Sequence, residues 1–220
     1  MKPSREVLII YGGWDGHQPA ECTELFADRL ARRGFTVKVS DTLDALLDPA
    51  GLGRFSLIVP IWTMGQLSQD QCAALVTAVR DAGTGLAGFH GGMGDAFRGN
   101  LDFQWMVGGQ FVAHPDEIKT YTVNILRRDD PIVAGLGDFQ VTTEHYYMLV
   151  DPANEVLATA VHRSTSTPWV DGVTTPVVWK KMHGAGRIFY SALGHQCADF
   201  TAVPEQLDLT LRGMVWAARP

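Results

Sequence analysis

The sequence predicts a doubly wound α/β domain with a mainly parallel sheet and extra strands added in its second half. Three observations predict it. Val7-Leu8-Ile9-Ile10-Tyr11 and Leu57-Ile58-Val59-Pro60-Ile61-Trp62 are continuous apolar runs of strand length, as expected for strands buried on both faces. Segments with apolar residues at helical spacing separate such runs. Strand and helix alternating at this rhythm imply right-handed crossovers, with helices covering both faces of the sheet.

In chain order, the first strand spans 7–11 and ends at Gly12-Gly13. A helix follows, with Pro19 in its first turn and Cys22, Leu25, Phe26 and Leu30 as its apolar stripe, and Gly34 stops it. The second strand covers 35–39. The third covers 57–61, and Pro60 is expected to end or bend it because proline donates no ladder hydrogen bond. Ser68 with Gln71 three residues on forms a capping box for a helix whose inner face carries Cys72, Leu75, Val76 and Val79. The fourth strand is 85–89. Residues 121–126, 139–143, 156–161, 177–182 and 188–192 read as further strands, and 204–218 as a closing helix with Leu207, Leu211, Val215 and Trp216 inward. No repeat, low-complexity tract or linker interrupts the chain, so residues 1–220 read as one domain.

Composition narrows the functional classes. Lys+Arg number 18 against Asp+Glu 24, a formal charge of -6 that argues against a nucleic-acid partner. No apolar run approaches the roughly 18–20 residues needed to span a bilayer, and the apolar run at 7–11 is too short for a signal peptide. Three cysteines without a C-x-x-C pattern suit a reducing cytoplasm and no disulfide framework.

In an open parallel sheet, ligands bind beyond the carboxyl ends of the strands. That rule brings together His17 in the turn after the first strand, Trp62 at the end of the third, and His90 after the fourth. Trp14 stands beside His17. Gly88-Phe89-His90-Gly91-Gly92 has the spacing of a nucleophile elbow, with histidine where serine or cysteine would stand. An imidazole there acts as a base, an acid or a metal ligand; the competing reading is a glycine-rich turn with an incidental histidine. His195 follows Gly194 at the end of another strand, and Glu144 precedes His145-Tyr146-Tyr147. A solvated strand end explains Glu144 equally well. No G-x-G-x-x-G or Walker A sequence is present, so a nucleotide cofactor is not indicated. His17, His90, His195 and Glu144 would suit zinc or manganese, although no two histidines have helical i, i+4 spacing.

These residues resemble the ThuA (trehalose utilisation) family, whose fold is similar to class I glutamine amidotransferases and flavodoxin-like proteins. The resemblance runs over nearly the whole chain. It rests on Leu8 to Gly13 with His17, on residues 88–92, on Phe111-Val112-Ala113-His114-Pro115 and on Asp130 to Leu136. It also rests on Thr143-Glu144 with the following tyrosines, on Pro176 to Trp179, and on Gly184 to Tyr190 leading to Gly194-His195. His90 replaces the cysteine that glutamine hydrolysis requires, so amidotransferase chemistry is not expected. His145 also departs from the family's usual residue after Glu144.

The resemblance implies a role with disaccharides or their keto derivatives, beside a sugar dehydrogenase. The expected enzyme uses His90, His195, Glu144 and His17 for acid–base chemistry, with Trp14, Trp62, His114 and Tyr146 holding a sugar. A sugar-binding or regulatory module and a metal-dependent hydrolase are the alternatives. No cofactor is firmly implied, and the apolar residues after position 100 would suit self-association.

Overall fold

The long apolar runs lie at the centre of one large sheet. The structure, a computed structural model, describes residues 5–48 and 50–220. Its first half is β1 (Glu6–Gly13), α1 (Pro19–Ala31), β2 (Thr36–Ser40), β3 (Leu57–Thr63), α2 (Gln69–Arg80) and β4 (Gly85–Phe89). Next come the short helices α3 (His90–Gly94) and α4 (Leu101–Val107), then β5 (Gly109–Ala113), β6 (Ile118–Ile125), β7 (Phe139–Glu144), β8 (Tyr147–Val150) and β9 (Glu155–Val161). The chain closes with β10 (Thr174–His183), β11 (Gly186–Ser191), α5 (Cys197–Ala202) and α6 (Pro204–Ala217).

The nine-stranded sheet has the order β2-β1-β3-β4-β11-β10-β9-β6-β7. Its first five strands are parallel and the remaining pairings are antiparallel. Strands β5 and β8 pair separately as an antiparallel ribbon. The apolar runs explain the centre: Val7 to Ile10 and Leu57 to Val59 are buried, while the edge strand β2 is largely exposed. Helices α1 and α6 and strands from both halves contribute to one hydrophobic core. Among the described residues, no helix is long and apolar enough to cross a membrane.

Two expectations need correction. Pro60 does not end β3, which pairs with β1 through Thr63. Its pairing with β4 covers only Leu57 and Ile58, so the proline lies beyond that ladder. Helix α6 is rotated from the predicted face. Leu211 is buried as expected, together with Gln206, Leu209, Thr210, Gly213 and Met214, whereas Val215 is exposed and Leu207 and Trp216 are half-buried. The cause is close packing at Gly213, where a Cβ would collide with the Phe189 ring of β11. Helix and sheet therefore approach along the glycine face.

Two predictions follow from these elements. The Ser68 hydroxyl accepts from Gln71 N at 3.1 Å, and Gln71 Oε1 accepts from Ser68 N at 2.9 Å, completing the capping box of α2. Ser68→Ala should therefore lower stability by about 1 kcal/mol in urea denaturation. The second concerns His162, whose buried ring stacks on His145 with centroids 3.6 Å apart. Burial, then the nearby Lys119, pushes it from 6.5 down to about 4. The unfolded chain thus binds the proton first as pH falls, and stability should decline between about pH 6.5 and 4. His162→Phe should flatten that decline, as read from urea midpoints across the window.

Candidate functional site at the carboxyl edge of the parallel strands

Strand order reverses between β1 and β3, which opens a crevice at their carboxyl ends. Four chain segments enter this region. A 3-10 turn, Asp15–His17, follows β1; Thr63 ends β3; His90 follows β4; and His195 lies four residues beyond the last residue of β11. The fifth contribution comes from the antiparallel half, where β7 ends at Glu144.

The turn at His90 is abrupt. Phe89 is extended (φ −146°), and His90 is left-handed (φ 45°), a conformation that costs energy in a residue with a side chain. The surroundings hold it there. Tyr190 Oη donates to the His90 carbonyl at 3.0 Å. Gly91 must lack a side chain, because a Cβ would run into the His17 ring and Thr63 Oγ1. The elbow read from the sequence is present, and it carries an imidazole into the site.

The side chains converge closely. His90 Nδ1 lies 3.0 Å from the Ala192 carbonyl, and its Nε2 lies 3.1 Å from Glu144 Oε2. His195 Nδ1 is 3.2 Å from the same carboxylate oxygen, but that buried nitrogen makes no hydrogen bond. His17 Nδ1 and Thr63 Oγ1 are 2.7 Å apart, and the His17 ring meets those of His90 and His195 edge-on at 4.8 and 5.0 Å. One donor atom from each of His17, His90, Glu144 and His195 can be chosen so that all lie within 4.8 Å of one another. All four residues are buried.

Two further contacts keep the halves in register. Thr143 Oγ1 donates to Asp199 Oδ2 at 2.7 Å and accepts from His195 N at 3.2 Å, tying β7 to the His195 loop. Gln18 Oε1 accepts from Cys197 N at 3.1 Å, tying the His17 turn to α5.

Electrostatics separates the roles. Burial, reinforced by His90 and His195, pushes His17 down to about 3, so its ring is neutral near pH 7. Burial also lowers His90, against the opposing pull of Glu144 and the Ala192 carbonyl. Burial works to raise the Glu144 carboxyl, but contacts with His195 and His90 outweigh it and hold the group below the usual carboxylate range. His195 is raised, because contact with Glu144 outweighs its burial. The arrangement leaves His90 with a conflict. A neutral imidazole has one N–H, yet both its nitrogens face oxygen acceptors.

The expected binding residues divide into two groups. Trp14 is half exposed at the rim, its ring 4.7 Å from that of His17. Tyr146 is buried and stacks on His90 at 3.9 Å, so it supports the imidazole from behind. His114 stands at the edge, with Nε2 3.9 Å from Glu144 Oε1 and Nδ1 3.3 Å from Glu117. Trp62 does not join them. Strand alternation directs Thr63 inward, and Trp62 packs by Gly12 and Gly65 instead. A cavity of about 370 Å³ begins one residue beyond Thr63, lined by Met64, Gly65, Phe97 and Arg98. Sequence reading missed Thr63, Ala192, Tyr190 and Glu117; strand alternation alone would have favoured Thr63 over Trp62.

The profile of the ThuA family, described as trehalose utilisation, matches residues 6–217. A ThuA-like protein from Parabacteroides merdae superposes with a TM-score of 0.76 at 20% identity, covering 98% of this chain and 90% of the other. One from Bacteroides uniformis gives 0.76 at 18% identity, covering 99% and 93%. A glutamine amidotransferase from Thermotoga maritima gives 0.57 at 12% identity, covering 99% and 96%. At these identities the likeness shows the fold alone. Comparison with curated proteins gives no match.

The elbow carries the prediction for this site. Tyr190→Phe leaves the buried His90 carbonyl without its donor and should cost about 1–3 kcal/mol in urea denaturation. An unchanged midpoint would show that the hydroxyl does not hold the turn.

Proposed function

The chain belongs to the ThuA family, and from that footing we propose that it acts on a sugar or keto-sugar at the His17–His90–Glu144–His195 cluster. The observation that carries this reading is the convergence of one carboxylate and three imidazoles beside the exposed ring of Trp14. An aromatic face at the rim suits the apolar face of a sugar. Trehalose or a related keto-disaccharide is the substrate class, the keto form being the product of a dehydrogenase that oxidises a sugar hydroxyl to a ketone and passes the electrons to its own acceptor. The reaction runs in the cytoplasm.

A ketone beside a C–H bond needs a base for the proton, an acid or cation for the developing oxyanion, and fixed geometry. The groups here match those roles. His195, raised by Glu144, supplies positive charge, while His17 stays neutral. Glu144 holds two rings at once, and Thr63 and Ala192 fix two of the three imidazoles. Isomerisation, epimerisation and elimination all draw on this set. Glutamine hydrolysis does not, because His90 occupies the elbow where a thioester would need cysteine.

The test is turnover of trehalose and its keto derivative by the purified chain. His90→Ala should reduce turnover by about 10²–10⁴-fold, the usual worth of a positioned acid–base group, while thermal melting stays cooperative. Trp14→Ala should raise KM with a smaller effect on kcat. Full turnover in His90→Ala would overturn the reading, and tight sugar binding without turnover would make the chain a sugar-binding module.

A further inference from the structure

The protons at His90 do not balance. If Nδ1 donates to the Ala192 carbonyl, the lone pair of Nε2 faces a carboxylate oxygen at 3.1 Å. If Nε2 carries the proton, the lone pair of Nδ1 faces the carbonyl at 3.0 Å. Either neutral tautomer leaves one repulsive contact, because both nitrogens face oxygens and only one carries a proton. A cation between Nε2 and the carboxylate removes the conflict while Nδ1–H keeps the Ala192 carbonyl.

We propose that the chain binds one divalent first-row metal ion, zinc or manganese, through His17, His90, His195 and Glu144. Four features of the site support it. Metal–ligand bonds of about 2.0–2.2 Å put the donors of a tetrahedron roughly 3.3–3.6 Å apart. Glu144 Oε2 lies 3.1 and 3.2 Å from His90 Nε2 and His195 Nδ1, and the four-residue set fits within 4.8 Å, so little movement is needed to close around an ion. Thr63 and Ala192 engage the Nδ1 atoms of His17 and His90, the outer-shell arrangement that fixes a ligating imidazole with Nε2 turned to the metal. The buried His195 Nδ1 sits beside the carboxylate without a hydrogen bond, as a nitrogen directed toward an ion would. Three imidazoles with one carboxylate and no thiolate is a donor set that suits both metals.

Binding of the ion stands on this geometry alone. Its use, as positive charge for an enolate or alkoxide oxygen, rests on the sugar reading above. Three neutral imidazoles and one carboxylate would leave a bound divalent ion with a net single positive charge for such an oxygen.

The experiment measures metal in the untagged full-length protein, by elemental mass spectrometry and by calorimetric titration of chelator-treated protein with Zn²⁺ and Mn²⁺. One ion per chain is expected for one of the two metals. Glu144→Gln should abolish stoichiometric binding. Thr63→Val leaves every ligand in place and removes only the hydroxyl beside His17, so it should weaken binding by about 10–100-fold while the protein melts cooperatively. His183→Ala, at a half-buried histidine outside the cluster, should bind as the wild type does. No stoichiometric uptake by folded wild-type protein would overturn the proposal and leave acid–base chemistry untouched. Uptake that persists in Glu144→Gln, or is lost in His183→Ala, would also overturn it. An ion bound as described without sugar turnover would uphold the metal site and refute the sugar reading instead.

Discussion

A carboxylate buried among imidazoles stays ionised only where positive charge or hydrogen-bond donors surround it. Glu144 meets that condition at the end of β7, with two ring nitrogens 3.1 and 3.2 Å from one oxygen. Much of the local architecture serves this arrangement. The left-handed turn at His90, the missing side chain at Gly91 and the Tyr190 hydroxyl place one ring. The Thr143–Asp199 hydrogen bond and the His195 amide place the second beside the strand that carries the carboxylate. His17 completes the set from across the crevice, held by Thr63.

The parallel sheet alone could not assemble this site. Its switch point brings the loops after β1, β3 and β4 together, but it offers no carboxylate among the converging ligand groups. The antiparallel extension supplies one. Strands β6 and β7 lie at the far edge of the sheet, and β7 ends with Glu144 directed back toward His90. The long excursion between β4 and β11 therefore does more than enlarge the core, because β11 returns beside β4 and brings His195 to the same edge. The fold, which is similar to that of a glutamine amidotransferase, here carries histidine at the elbow and a carboxylate facing it.

The legible parts of the sequence were those with a strong physical period. β1 and β3 read as strands because a strand buried on both faces must be continuously apolar, and the capping box of α2 could be read from Ser68 and Gln71. The paired strands β5 and β8 were not legible. GQFVA and YMLV are short, carry mixed burial and, among the described residues, pair only with each other. Helix α3, with sequence HGGMG, has low helical propensity because of its three glycines, which lie where a Cβ would collide with His17, Ile61 and Tyr190. In the site, His17, His90 and His195 could be read from glycine-flanked strand ends, whereas Glu144 needed the family resemblance. Trp62 was expected from its place at the end of the third strand, whereas strand alternation turns Thr63 toward the site.

In the zinc-loaded protein the account has His17 and His90 both carry their proton on Nδ1, the less common tautomer of a free neutral imidazole, leaving Nε2 for the ion. Long-range ¹⁵N–¹H NMR of the ring nitrogens at neutral pH reports this directly. The account predicts a protonated Nδ1 in both rings, with Nε2 lacking a proton of its own. A proton resident on Nε2 with a bare Nδ1, in either ring, would contradict it.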